Sequence, residues 1–225
     1  MGDTVMGWGG SVFRRRSLSS ALALVTALTT FLVATPAEVA RAATITVCAS
    51  GCDFTTIQAA VSVAAPSGDV ITVGPGTYAE SVFVGSQTLT IESTGGAAVT
   101  TIQAPASNTN IVTVNIGNLT LDGFTVTGAS ITGQANPGGI FVNNTSGTIT
   151  VRDSIITSNS SASGRGGGLG GFGTMTVVNT VVANNSASEG GGLWSSGSMT
   201  VIDSTITGNT ATSGGGGIYN ATFGN

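Results

Sequence analysis

Asp153, Asn179 and Asp203 recur at intervals of 26 and 24 residues. If each interval is one turn of a stacked structure, the two carboxylates stand about 10 Å apart. An inverting acid and base pair on a glycosidic bond works across a similar gap. Gly123, 30 residues before Asp153, falls in the same slot. Gly, Asn and Asp share tolerance of the left-handed backbone, so the column reads first as a tight bend. Asx side chains stacked there can hydrogen-bond along the stack, which offsets the cost of burying them. The chain has no His and no Lys, so proton-transfer partners for these acids are scarce, and no catalytic residue is assigned.

Three further sets of side chains could contact a ligand. Counting outward from Ile140, Leu169, Leu193 and Ile218 gives Phe141, Gly170, Trp194 and Tyr219, an aromatic strip on which a glycan ring could stack. Thr88-Leu89-Thr90, Asn118-Leu119-Thr120, Thr148-Ile149-Thr150, Thr174-Met175-Thr176 and Ser198-Met199-Thr200 place two rows of hydroxyls on one face. Cys48 and Cys52 are the only cysteines and would close a five-residue disulfide loop in an oxidising compartment. Two thiols without a His do not make a metal site, and neither a metal nor a cofactor is expected.

These side chains need a scaffold of short strands. Of 225 residues only 7% are charged, against about 25% in an ordinary soluble domain. The 35 Gly and 35 Thr suit turns and solvated strands far better than helices. The Gly-Gly-Gly-Leu at 166–169 returns at 190–193, and as Gly-Gly-Gly-Ile at 215–218. Met175-Thr176-Val177 returns as Met199-Thr200-Val201. Looser copies place Ile140 and Ile111 in the Gly-Leu slot, and Val151, Leu121 and Ile91 in the Met-Thr-Val slot. Each repeat holds three alternating apolar pieces between Gly, Ser, Asn or Asp turns. Head-to-tail repetition of such a unit makes an all-β parallel solenoid with three-strand coils of about 24–30 residues, about five coils in all. Before it, Asp53 to Val61 reads as a short capped amphipathic helix with Ile57, Ala60, Val61 and Ala64 on one face.

Arg14, Arg15 and Arg16 precede an apolar run from Leu18 to Val33 and the small-residue pattern Ala40-Arg41-Ala42. This is the pattern of a secretory signal peptide over residues 1–43. The expected organisation is then an N-terminal cap over 44–68, with the Cys loop and the helix, and the solenoid over 69–225. Beyond residue 43 two arginines face eight carboxylates, a net charge of −6. Nucleic-acid phosphates need a basic patch that two arginines cannot supply. The mature chain also contains no apolar run long enough for a membrane span.

Two resemblances extend this reading. Thr56-Ile57-Gln58-Ala59-Ala60, followed by Gly68-Asp69-x-Ile71-x-Val73-x-Pro75-Gly76-Thr77-Tyr78, resembles the start of many secreted right-handed parallel β-helices of the pectate-lyase-like superfamily. That resemblance implies a capping helix over the open end of the first coil. Its enzymes use a calcium-binding Asp cluster with Arg or Lys, several Asp with a His, or two Asp with Arg and Gln. Here Arg152 beside Asp153 is the nearest approach. Ile156-x-x-Asn159, Val182-x-x-Asn185 and Ile206-x-x-Asn209, each followed by Gly-Gly-Leu or Gly-Gly-Ile, resemble the repeats of polymorphic outer membrane proteins. Together they imply a secreted, non-catalytic module for cell-surface adhesion or glycan contact. The alternatives are a polysaccharide lyase or glycoside hydrolase whose catalytic coils are missing, and an ice-binding solenoid. The last coil begins at Gly217-Ile218-Tyr219 and stops at Asn225 without a cap, so end-to-end self-association is expected.

Overall fold

The computed structural model describes residues 42–133 and 135–221, within one compact unit, Val39–Asn225. The signal peptide expected over residues 1–43 and the chain end at 222–225 fall almost wholly outside the described residues. The unit is a parallel β-helix. Sheet A stacks Thr44–Val47, Ser67–Val73, Thr88–Ser93, Asn118–Asp122, Thr148–Arg152, Thr174–Val178 and Ser198–Ile202. Sheet B stacks Gly76–Ala79, Thr100–Gln103, Thr125–Thr127, Ile155–Thr157, Val181–Ala183 and Thr205–Thr207. Sheet C stacks Val82–Val84, Val112–Val114, Ile140–Val142, Leu169–Gly171, Leu193–Ser195 and Ile218–Asn220.

Like residues sit on like residues because each strand pairs in register with its counterpart one coil away. Ile91, Leu121, Val151, Val177 and Val201 form one inward column of sheet A, and Ile102, Val126, Ile156, Val182 and Ile206 one of sheet B. The core between the sheets is a continuous stack of such columns, almost all of it aliphatic.

The structure departs from expectation in four places. Sheet A has seven strands rather than five, because Thr44–Val47 and Ser67–Val73 already belong to it. A fourth sheet, D, stacks Ser130–Ile131, Ser160–Arg165, Ser186–Glu189 and Thr210–Gly214. Its strands are Ser, Ala, Thr and Gly with little apolar alternation, so their pairing is imposed by the coils on either side. Ile140 pairs with Val112, not with Ile111, although Ile111 is also buried. Finally the helix begins at Ile57 rather than Asp53, with Thr56 as its cap and the Glu80 carboxylate accepting from the N–H groups of Ile57 and Gln58 at 2.8 and 2.7 Å. Asp53 instead accepts from both the N–H and the hydroxyl of Thr46. Those bonds hold its carboxyl below the ordinary carboxylate range.

The glycine runs serve more than turns. Gly190 has φ 58° and turns the chain, but Gly191 has no such conformation. A Cβ on Gly191 would lie 2.1 Å from the carbonyl oxygen of Thr210 and 2.6 Å from that of Gly216. The run therefore lets the backbone of one coil lie against that of the next.

Candidate functional site

The bend column lies where the spacing puts it, and its backbone is left-handed: φ is 77° at Gly123, 51° at Asp153, 44° at Asn179 and 49° at Asp203. Its side chains, however, are exposed, so the buried ladder expected there is not at this bend. Asn179 donates Nδ2 to Asp153 Oδ1 at 2.5 Å on the surface. The buried polar ladders stand in neighbouring columns. In one, Ser154, Thr180 and Ser204 hydroxyls accept from the N–H groups of Phe124, Ser154 and Thr180. In the other, Asn159, Asn185 and Asn209 accept through Oδ1 from the N–H groups of Ala129, Asn159 and Asn185 at 3.0, 3.0 and 2.9 Å. An internal Asn fits because its amide can both accept from one coil and donate to another, leaving no orphaned polar group.

Most other carboxylates are structural as well. Asp69, buried, accepts from the N–H groups of Ala43 and Ala65. Asp122 bridges Arg152 at 2.8 Å, and Glu189 bridges Arg165 at 3.0 Å. Among the described residues no three acidic, His or Cys side chains form a metal-sized cluster. A cavity of about 240 Å³ beside Pro75, Tyr78 and Glu80 holds one acid, and that acid is engaged at the helix start. Cys48 and Cys52 form a disulfide.

The aromatic strip has the expected register and a different surface. Phe83, Thr113, Phe141, Gly170, Trp194 and Tyr219 stack along the outward face of sheet C. Phe141 is only 8% exposed and Trp194 only 2%, so the open strip expected at these two residues is closed. Both are covered from outside the sheet. The Arg165 guanidinium lies 5.2 Å from the Trp194 ring centre. Phe172 packs edge-on against Trp194 at 5.8 Å and against Phe141 at 6.1 Å. What remains open on this face is Phe83, 50% exposed on the edge strand, and Phe172, 39% exposed, beside the Arg165–Glu189 ion pair and the half-buried Tyr219. The buried indole Nε1 of Trp194 has no hydrogen-bond partner. Sequence reasoning missed Phe83, Arg165, Phe172 and Glu189. Arg165 and Glu189 were recoverable, as opposite charges one 24-residue repeat apart, whereas Phe172 lies in a turn with no aromatic counterpart.

The hydroxyl rows are also in register. Ser67, Thr88, Asn118, Thr148, Thr174 and Ser198 form one row, and Thr90, Thr120, Thr150, Thr176 and Thr200 the other. A third outward row, Glu92, Asp122, Arg152, Val178 and Ile202, borders them.

No family model matches the chain, and no curated protein sequence matches it. Among solved structures, a pectin methylesterase from carrot is similar at 14% identity and a TM-score of 0.30, over 79% of this chain and 88% of that one. The fold, read from its own strand pairing, is a parallel β-helix. No helix among the described residues is long and apolar enough to cross a membrane.

Proposed function

We propose that the chain is an exported, non-catalytic β-helix module that contacts neutral glycans in an extracellular or cell-surface setting. The observation that carries this reading is the ledge on sheet C. Phe172 offers an exposed ring to the C–H face of a sugar, and Trp194 beneath it fixes its orientation. The Arg165–Glu189 pair beside it offers donors and acceptors to sugar hydroxyls. Both arginines of the described residues are already paired with carboxylates in a chain of negative net charge, so a polyuronate would be repelled where a neutral glycan is not. A non-catalytic role is favoured by the structural engagement of Asp69, Asp122, Asp153, Glu80 and Glu189. Export rests on the pattern of residues 1–43.

The test is retention on insoluble neutral polysaccharides and on a glycan array, for the wild type and for Phe172→Ala. Retention of the wild type and release of the variant is expected. A wild type that binds no neutral glycan sinks the reading.

A further inference from the structure

Among the described residues the outward face of sheet A carries two rows of hydroxyls across successive coils. It is this extent that sets it apart, since Thr101, Thr127, Thr205 and Thr207 of sheet B have no hydroxyl partner either. Elsewhere the Ser and Thr hydroxyls are often engaged: Ser93 with Thr100, Thr125 with the Ala97 carbonyl, Ser161 with the Asn136 carbonyl. On sheet A, Thr90, Thr120, Thr150, Thr176 and Thr200 have no protein partner, nor have Thr148 and Thr174 in the adjoining row. The one bond within the rows joins Asn118 Nδ2 to the Thr88 hydroxyl at 3.3 Å. These hydroxyls repeat about every 4.8 Å from coil to coil and about 6.6 Å between rows, from strand spacing and two-residue rise. β-Branching holds each side chain at χ1, so the array is stiff. A trough of about 150 Å³ runs between the rows, lined by Thr88, Thr90, Asn118, Thr120, Thr148 and Thr150. At one end of it lie Gly68 and the buried Asp69, whose carboxylate is taken up by the N–H groups of Ala43 and Ala65. Its floor is strand backbone, because Leu89, Leu119 and Ile149 between the hydroxyls point into the core. That volume accommodates several water molecules in file.

We infer that this face binds the surface of an ice crystal, its free hydroxyls and the trough between them holding a rank of waters in lattice order. The chemistry separates this occupant from others. The strands of sheet A carry no aromatic side chain on which a sugar could stack, and the two hydroxyl rows carry no charge for an ionic partner. What they offer is uniform, uncharged and repeated in two directions, which suits a ligand that is itself a lattice of donors and acceptors. The inference is independent of the glycan ledge on sheet C.

The test uses the full-length protein on a cold-stage microscope, reading ice-crystal faceting, the freezing gap and inhibition of recrystallisation. Thr150→Tyr and Thr120→Tyr put a bulky ring at the centre of the array on half-buried, outward positions. Thr101→Tyr makes the same change on sheet B and is the control. Circular dichroism establishes that each variant is folded. The expected result is faceting and recrystallisation inhibition by the wild type and by Thr101→Tyr, with loss in both sheet A variants. Failure of the wild type to shape ice overturns the inference, and so does full activity of folded Thr150→Tyr. If the wild type leaves ice unchanged but loses binding to insoluble glucan on Thr150→Tyr, the face belongs to a glycan and the ice inference is equally overturned.

Discussion

Truncating the middle of the internal asparagine ladder, Asn185→Ala, should destabilise the protein severely. Asn185 is 1% exposed. Its Oδ1 accepts from the N–H and Nδ2 of Asn159 at 3.0 and 3.1 Å, and its Nδ2 donates to the Ile156 carbonyl and to Asn209 Oδ1 at 2.9 and 3.0 Å. In the alanine variant the Asn159 N–H, one Nδ2 proton of Asn159 and the lost Ile156 acceptor bond are stranded inside, whereas Asn209 Oδ1 keeps the Asn185 N–H. At about 1 kcal/mol or more for each of three such losses, with a cavity in addition, the cost is about 3 to 5 kcal/mol. That is a large share of the roughly 5–15 kcal/mol that holds a domain folded. The comparison is Asn179→Gly, which removes an exposed bond at a position whose φ of 44° glycine accepts, and should cost about 0.5 kcal/mol or less. Equilibrium urea unfolding is followed by Trp194 fluorescence in a Trp8→Phe background, because a repeat stack can lose coils separately and Trp194 reports its own end. Equal midpoints and slopes for the two variants would refute the reasoning that the internal column, and not the surface bend, carries the polar contribution.

Four other outcomes are expected. Gly191→Ala should abolish folding of the last coils, seen as lost β signal in circular dichroism, since its Cβ would meet the Thr210 oxygen at 2.1 Å. Cys48→Ser should destabilise the N-terminal coil by about 2 kcal/mol at most, the loop-entropy value for a five-residue ring, with the reduced wild type behaving alike in denaturant. Arg165→Ala should uncover the indole, giving a red-shifted emission more easily quenched by iodide, measured in a Trp8→Phe background. Asp53 has a folded pKa below its unfolded value near 3.9, so its contribution is present above that pH and is lost as pH falls through the folded value. The protection factor of the Thr46 amide, its exchange rate taken relative to the intrinsic rate at each pH, should therefore fall in acid but stay constant between pH 5 and 7, and Asp53→Asn should remove the dependence.

The repeat was legible because a coil that stacks on its own copy must present the same residue type at the same slot. Columns such as Thr90, Thr120, Thr150, Thr176 and Thr200 are visible as spacing before any pairing is known. The left-handed bend at Gly123, Asp153, Asn179 and Asp203 was legible for the same reason, since few residue types tolerate that backbone. Sheet D was not, because Ser160–Arg165 and Ser186–Glu189 pair through backbone groups, which every sequence has.

Alternation along a strand tells which side chains leave the core, and so placed Phe141 and Trp194 outside sheet C. It says nothing of what folds back over them. Arg165 reaches Trp194 from the end of a sheet D strand, and Phe172 reaches it from the turn beyond its own strand, so the outward aromatics became a second, external core. Likewise the spacing of Asn159, Asn185 and Asn209 was plain, but the burial of Asn159 and Asn185 depended on which side of the bend the chain turned inward. The sequence by itself determined the period, the register of sheet A and the left-handed bends, which are local and repeated. On sheet C it put Ile111 in the slot that Val112 fills. Tertiary structure alone decided exposure, because burial depends on the distances between segments that no single coil contains.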